Sequence, residues 1–214
     1  MKKLLFIGVV AMPAMALSQV IADRATFNTE FPTAATEDFE SFQINFNNAT
    51  NLEVSVLDST TVTNDQGPGL VLPGATYIDP SETQLQWNGD GHFQLPTRSL
   101  LANGNQGILR IEYDEPMQAF ALDVFAFQSN RAGAVRVYSG GDLVHTFDLS
   151  GVSNTAANFV GFKHSPGITA VEVDRLLGSY SLIIDNHSYT AVPEPATLAA
   201  LCLGALALVR RRKQ

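Results

Sequence analysis

The chain is short of the groups that most often do chemistry outside cells. Its 214 residues hold one cysteine, Cys202, near the C-terminus. The region before it has no thiol and no disulfide, so an exported domain here stands on its apolar core or on a bound ion. No cysteine lies near the start, which excludes an acylated lipoprotein anchor. The four histidines, His92, His145, His164 and His187, are dispersed, with no His-x-x-x-His or His-Glu pair, which argues against zinc. There is no Gly-x-Ser-x-Gly elbow. A glycosidase needs two carboxylates facing across a cleft, and none of the many acidic residues is marked out for that by its context. The expectation is a protein that is not an enzyme. No long helical period and no internal repeat appear between the two ends.

Positive charge is scarce and badly distributed. Thirteen Lys and Arg face 21 Asp and Glu. Six of the basic residues (Lys2, Lys3, Arg210, Arg211, Arg212 and Lys213) and one acidic residue (Glu194) lie in the two end segments. The part between carries seven against 20, a net charge near −13. That excludes nucleic acid, whose phosphates need a basic face. Divalent cations and neutral polysaccharides remain as partners, and solubility outside the cell is reason enough for the charge.

The ends are address segments. Met1-Lys2-Lys3 is a positive n-region, Leu4 to Val10 an apolar h-region, and Ala14-Met15-Ala16 a small-x-small cleavage site. This is the pattern of a secretory signal peptide. Val20-Ile21-Ala22 is a second acceptable site, so the mature chain begins at Leu17 or Asp23, and residues 1–22 are set apart from the domain. At the other end Val192-Pro193-Glu194-Pro195-Ala196 leads into a Leu/Ala-rich run to Val209 and then Arg210-Arg211-Arg212-Lys213. The prolines lack amide donors and fix φ, so Pro-Glu-Pro is stiff and extended. Ala196 to Val209 suits a helix but, at 14 residues, is shorter than the ~20 of a comfortable span. The basic cluster stays on the cytoplasmic side.

Motif, apolar run and basic cluster in this order resemble the PEP-CTERM sorting signal of Gram-negative bacteria. The resemblance covers 192–214. It implies that a membrane-embedded cysteine protease of the exosortase type recognises Pro193, Glu194 and Pro195 and removes the tail. It further implies passage through the inner membrane to the cell surface or extracellular matrix, and an association with exopolysaccharide and biofilm.

Residues 23–191 read as one all-β domain. Asp38–Phe42, Leu52–Leu57, Gly107–Tyr113, Ala119–Phe127, Ala134–Ser139, Leu143–Asp148, Asn158–Phe162, Ile168–Asp174 and Ser181–Tyr189 are short apolar or alternating runs. Phe120, Leu122, Val124 and Ala126 share one face, with Asp123, Phe125 and Phe127 on the other, which is the period of a strand. Ser139-Gly140-Gly141-Asp142 reads as a tight hairpin and Ser165-Pro166-Gly167 as a turn. The spacing predicts an antiparallel β-sandwich, jelly-roll-like. Residues 59–106 are loop-rich, with strands expected at Gln84–Trp87 and His92–Leu95.

Two clusters invite a function. Asp38-Phe39-Glu40 and Ile184-Asp185-Asn186 place carboxylates in apolar surroundings near the two ends of the domain, where first and last strands lie side by side in a jelly roll. They resemble carbohydrate-binding-module jelly rolls in which such motifs flank a structural Ca²⁺. The resemblance implies Glu40 and Asp185 as ligands, with Asp38 beside them. The alternative is that these carboxylates face solvent or bond backbone at a strand end. Trp87 precedes the polar turn Asn88-Gly89-Asp90-Gly91-His92. Exposed, it would stack on a sugar ring; packed inward, it is a core residue with a hairpin beyond it.

Two readings follow. In the first, the chain is an exosortase substrate and a non-enzymatic component of the extracellular polysaccharide matrix. In the second, the same address delivers a lectin-like or polysaccharide-acting domain, with Trp87, Tyr77 or Tyr113 lining a groove.

Overall fold

The computed structural model describes residues 17–63, 66–104, 106–176 and 180–192. Residues 1–16, the sorting motif Pro193, Glu194 and Pro195, the apolar run and the basic cluster of Arg210, Arg211, Arg212 and Lys213 lie outside them, whereas residues 17–22, set apart with the leader in the sequence, belong to the sandwich through β1 (Ser18–Ile21). Among the described residues no helix is long and apolar enough to cross a membrane.

The architecture rests on two strands too long to lie flat in one layer. In chain order the elements are β1 (Ser18–Ile21), α1 (Arg24–Glu30), β2 (Ala35–Glu37), β3 (Ala49–Asn51), β4 (Val56–Leu57), β5 (Ala75–Ile78) and β6 (Leu85–Asn88). After a 3₁₀ turn at His92–Gln94 come β7 (Ser99–Ala102), β8 (Ile108–Phe125), β9 (Arg131–Ser139), β10 (Asp142–Val152), β11 (Asn158–Asp174) and β12 (Ile183–Ala191). β8 and β11 pair antiparallel along nearly their whole lengths. The register shifts between Lys163 and Ile168 and again before Ala170. Pro116 sits on one side of this break and Pro166-Gly167 on the other. Proline has no amide for the ladder, and Gly167 takes φ +138, closed to side chains. The expected turn at Ser165-Pro166-Gly167 is therefore a bulge inside one strand.

The break makes two layers from one continuous sheet. The first contains β1, the start of β11, the end of β8, and β12, which also pairs with β2 and β7; β6 and β3 follow β7. The second contains β10, β9, the end of β11, the start of β8, then β5 and β4. Phe120, Leu122, Val124, Phe162 and Ile184 of the first layer and Leu109, Ile111, Val135, Val137, Val171 and Val173 of the second are buried in one cluster. The expected antiparallel sandwich is thus the fold, its layers joined through β8 and β11. The hairpin at 139–142 is also found, with Ser139 opposite Asp142 and positive φ at Gly140 and Gly141.

The outer face of the first layer is covered rather than wet. Small Ala119 and Ala121 leave room for Phe27 of α1, which is fully buried with Ile21. Burial of such a ring stabilises by roughly 1.5–3 kcal/mol. Asp23 caps α1, its carboxylate accepting from the Thr26 amide at 2.7 Å.

Four local expectations change. Of the run Leu52–Leu57 only Val56–Leu57 forms a strand, β4. Asp38–Phe42 is not a strand: β2 ends at Glu37, and the chain then turns Phe39 and Phe42 into the core, Phe39 at φ +53. The strand expected at Gln84–Trp87 is β6, but His92–Leu95 is mostly the 3₁₀ turn, with positive φ at Phe93 and Gln94. The loop-rich stretch also holds β5 and β7, which pair with β8 and β12.

Candidate functional site

The two carboxylate-bearing segments do meet, but through β2; the first strand, β1, pairs with β11 instead. β2 lies beside β12, with Glu37 opposite His187 and Thr36 opposite Ser188. Residues 37–40 and 185–189 therefore share one region of the first layer.

On the inner side, His187 is fully buried between two tyrosines. Its Nδ1 lies 2.8 Å from the Tyr77 hydroxyl and its Nε2 2.9 Å from the Tyr113 hydroxyl. Burial, with the charge of Arg24 adding to it, pushes the imidazole down to about 3. The ring is neutral, so one nitrogen donates to one hydroxyl and the other accepts from the second. Burial holds both of these phenols well above their ordinary range. Glu37, also buried, receives the Phe39 amide at 2.8 Å on one oxygen and the Leu72 amide at 2.7 Å on the other. It ties β2, the 38–42 turn and the loop before β5 together.

On the outer side, Asn186 at φ +46 marks a bulge between Asp185 and Ser188. Its amide and side chain donate to Asp185 at 2.6 and 2.9 Å, and its side chain also reaches Asp123 at 3.0 Å. Arg24 of α1 bridges the far oxygen of Asp123 and the Ser188 hydroxyl, both at 2.8 Å. Asp185 is 1% exposed. Burial first, and then the charges of Asp123 and Glu40, push its carboxyl up to about 7 against the bonds from Asn186 and Thr97.

The carboxylates proposed as Ca²⁺ ligands are only partly brought together. Glu40 lies within electrostatic reach of Asp185, but its own oxygens are taken by Arg98 at 3.2 Å and Thr97 at 3.2 Å. Asp38 accepts the Glu40 amide at 3.1 Å and closes a turn. Among the described residues no three Asp, Glu, His or Cys side chains are grouped to hold a metal ion. The Ca²⁺ set of Asp38, Glu40 and Asp185 therefore does not fit as an oxygen cage.

Trp87 resolves to the inward alternative. It is fully buried, its indole donates to the Phe39 carbonyl at 3.0 Å, and it stacks on Phe42 at 5.4 Å. It cannot meet a sugar from solvent. Tyr77 and Tyr113 are likewise interior, bound to His187.

Two features escaped the sequence reading. One is Glu37, whose only signal is its even spacing from buried Phe39. The other is an aromatic and cationic end of the first layer. Phe127 lies 5.9 Å from Phe93 and 5.7 Å from Tyr180, with Arg131 and Arg175 over its ring at 5.1 and 4.7 Å. At the opposite end, a cleft of about 420 Å³ lined by Pro73, Gly74, Asp114, Met117, Tyr189 and Ala191 sits beside the last residues of β12. There the Val192 amide donates to the Pro116 carbonyl at 3.1 Å, fixing where the chain leaves the sandwich.

Residues 191–213 match the family model of the PEP-CTERM protein-sorting motif, starting at the last residue of β12. No curated protein matches the chain. Among solved structures, the catalytic domain of a GH87 alpha-1,3-glucanase in complex with tetrasaccharides is similar at 13% identity with a TM-score of 0.33. The likeness covers 71% of this chain and 29% of that one, so the chain spans less than a third of its length.

Proposed function

From the premise that this is a protein carrying a PEP-CTERM sorting motif, we propose that it is a non-enzymatic sandwich delivered by exosortase to the cell surface or polysaccharide matrix. The observation that carries this is the motif at 191–213, directly continuous with β12. In this reading the chemistry belongs to the sorting protease. The domain is its cargo, with Pro193, Glu194 and Pro195 as the recognised residues. The buried polar groups support the same reading. Glu37, Asp185 and His187 direct their hydrogen bonds to this chain's own backbone and side chains, as structural groups do. The test is replacement of Pro193, Glu194 and Pro195 by Ala in the producing cell. The tail then persists on the protein, read by intact mass; normal removal would sink the proposal.

A second reading, glycan binding, is supported by the end around Phe127. Half-buried rings flanked by guanidinium groups suit a sugar face bearing carboxylates, in a domain that is otherwise strongly acidic. Arg131 is exposed there. Pull-down of the secreted protein with its host's exopolysaccharide checks this. Arg131→Ala combined with Phe127→Ala reduces retention about tenfold or more, the loss of roughly 1.4 kcal/mol or more of contact energy. Equal retention removes the site.

A further inference from the structure

We infer that the exported protein begins at Leu17, the leader being removed after Ala16 and not after Ala22. The inference rests on the export reading above. Ala14-Met15-Ala16 and Val20-Ile21-Ala22 both meet the small-x-small requirement. The six residues between the two cuts, Leu17 to Ala22, decide the matter, because the fold uses them.

β1 is a working strand. Ser18 to Ile21 stand opposite His164 to Gly161 of β11 in an unbroken antiparallel register. The Leu17 carbonyl accepts from the Ser165 amide at 3.1 Å, and the Ser18 hydroxyl lies 2.8 Å from His164 Nδ1. Ile21 is 3% exposed and packs with Phe27, Ala119 and Ala121. Its partner Gly161 is shaped for it: a Cβ there would stand 3.1 Å from the Ile21 Cβ and 2.7 Å from the Phe159 ring. Only glycine lets Ile21 and Phe159 close over this part of the sheet.

A cut after Ala22 would remove all of this at once. The β11 backbone from 161 to 164 would lose its partner on that side and become an open edge. The place of Ile21 beside Phe27 would be vacated, leaving α1 over a gap. Asp23 would also change character. Its side chain now caps α1 at the Thr26 amide, and a peptide bond precedes its nitrogen. As the first residue it would carry an ammonium beside its own capping carboxylate, at the end of the helix that favours negative charge.

The experiment uses the full chain in an exporting Gram-negative host, with N-terminal sequencing and intact mass of the exported protein. The expected first residue is Leu17. Ala16→Arg abolishes processing at that bond. Ala22→Arg leaves the N-terminus unchanged, since the Ala22 side chain points to solvent and the bond after it is not the one cut. An exported protein starting at Asp23, or processing that is lost with Ala22→Arg and kept with Ala16→Arg, overturns the inference while leaving export intact. A chain that stays in the cytoplasm with Met1 in place fails the export reading itself.

Discussion

β12 buries polar groups on both of its faces and satisfies them in two different ways. Inward, His187 is neutral and meets two hydroxyls, so the ring brings no charge into the core. Outward, Asp185 is as well buried, yet its partners are the bonds from Asn186 and Thr97 and the charges of two other carboxylates, with Arg24 serving Asp123 rather than Asp185. A neutral network costs little once complete. A buried carboxyl near like charges keeps its proton instead. One residue separates the two solutions: the bulge at Asn186, whose left-handed φ turns Asp185 and His187 to opposite sides of the strand.

The largest effect expected comes from breaking the inner network. His187→Phe removes the partner of both tyrosines and strands two buried hydroxyls, at about 1–3 kcal/mol each. Adding Tyr77→Phe and Tyr113→Phe restores much of the loss, because replacing every partner removes the unmet need. Urea unfolding of wild type, His187→Phe and the triple variant checks this. A His187→Phe protein as stable as wild type would mean the three groups do not act together.

The outer cluster has a smaller, pH-dependent signature. The folded Asp185 carboxyl holds its proton to about 7, against an ordinary value of 3.8. The stability this contributes is complete below pH 3.8 and is lost as pH rises through 7. The loss is on the order of 4 kcal/mol at most. Glu37, also raised by burial, adds a slope of the same sign. Asp185→Asn flattens most of the curve between pH 4 and 7, measured by thermal melts across that range; an unchanged slope would assign it elsewhere. The smallest effect is that of chelation. With Glu40 held by Arg98 and Asp38 by backbone, removing divalent cations leaves the melting temperature where it was. A ligand at a hundredfold excess over its Kd would contribute about 2.7 kcal/mol, so a drop of several degrees would show that Asp185 and Glu40 do converge on an ion.

How legible the fold was depends on the range of the contacts involved. The 131–152 hairpin and the alternation in β8 are local, and period two with a Gly-Gly turn was enough to find them. The bend of β8 and β11 is not local. Pro166-Gly167 is a good turn by itself, and only the register across Met117 and Lys163 makes it a bulge. α1 was missed because seven residues with one buried side chain, Phe27, show no helical period, although Asp23 three residues before Thr26 was a readable cap. Of the site, the tail was legible throughout, since sorting signals are read as linear sequence. The carboxylates were not. Asp38 and Glu40 drew notice by their type, while the buried residue between the strands was Glu37, one step out of phase.

The bulge where β8 and β11 bend has one further consequence. Leu17 and Val192 both leave the sandwich beside it, on β1 and β12, three strands apart in one row, or about 14 Å. Under the export proposed above, a precursor with both ends in one bilayer would be moored at a single corner, without being stretched or turned over, and would hang from the same corner once the leader was cut. From Met117 to Phe125 the strand runs about 27 Å away from that mooring. The ring of Phe127, with its two arginines, is at the end far from that corner, so in the proposed export the orientation that would offer the tail to a protease would also point this end outward.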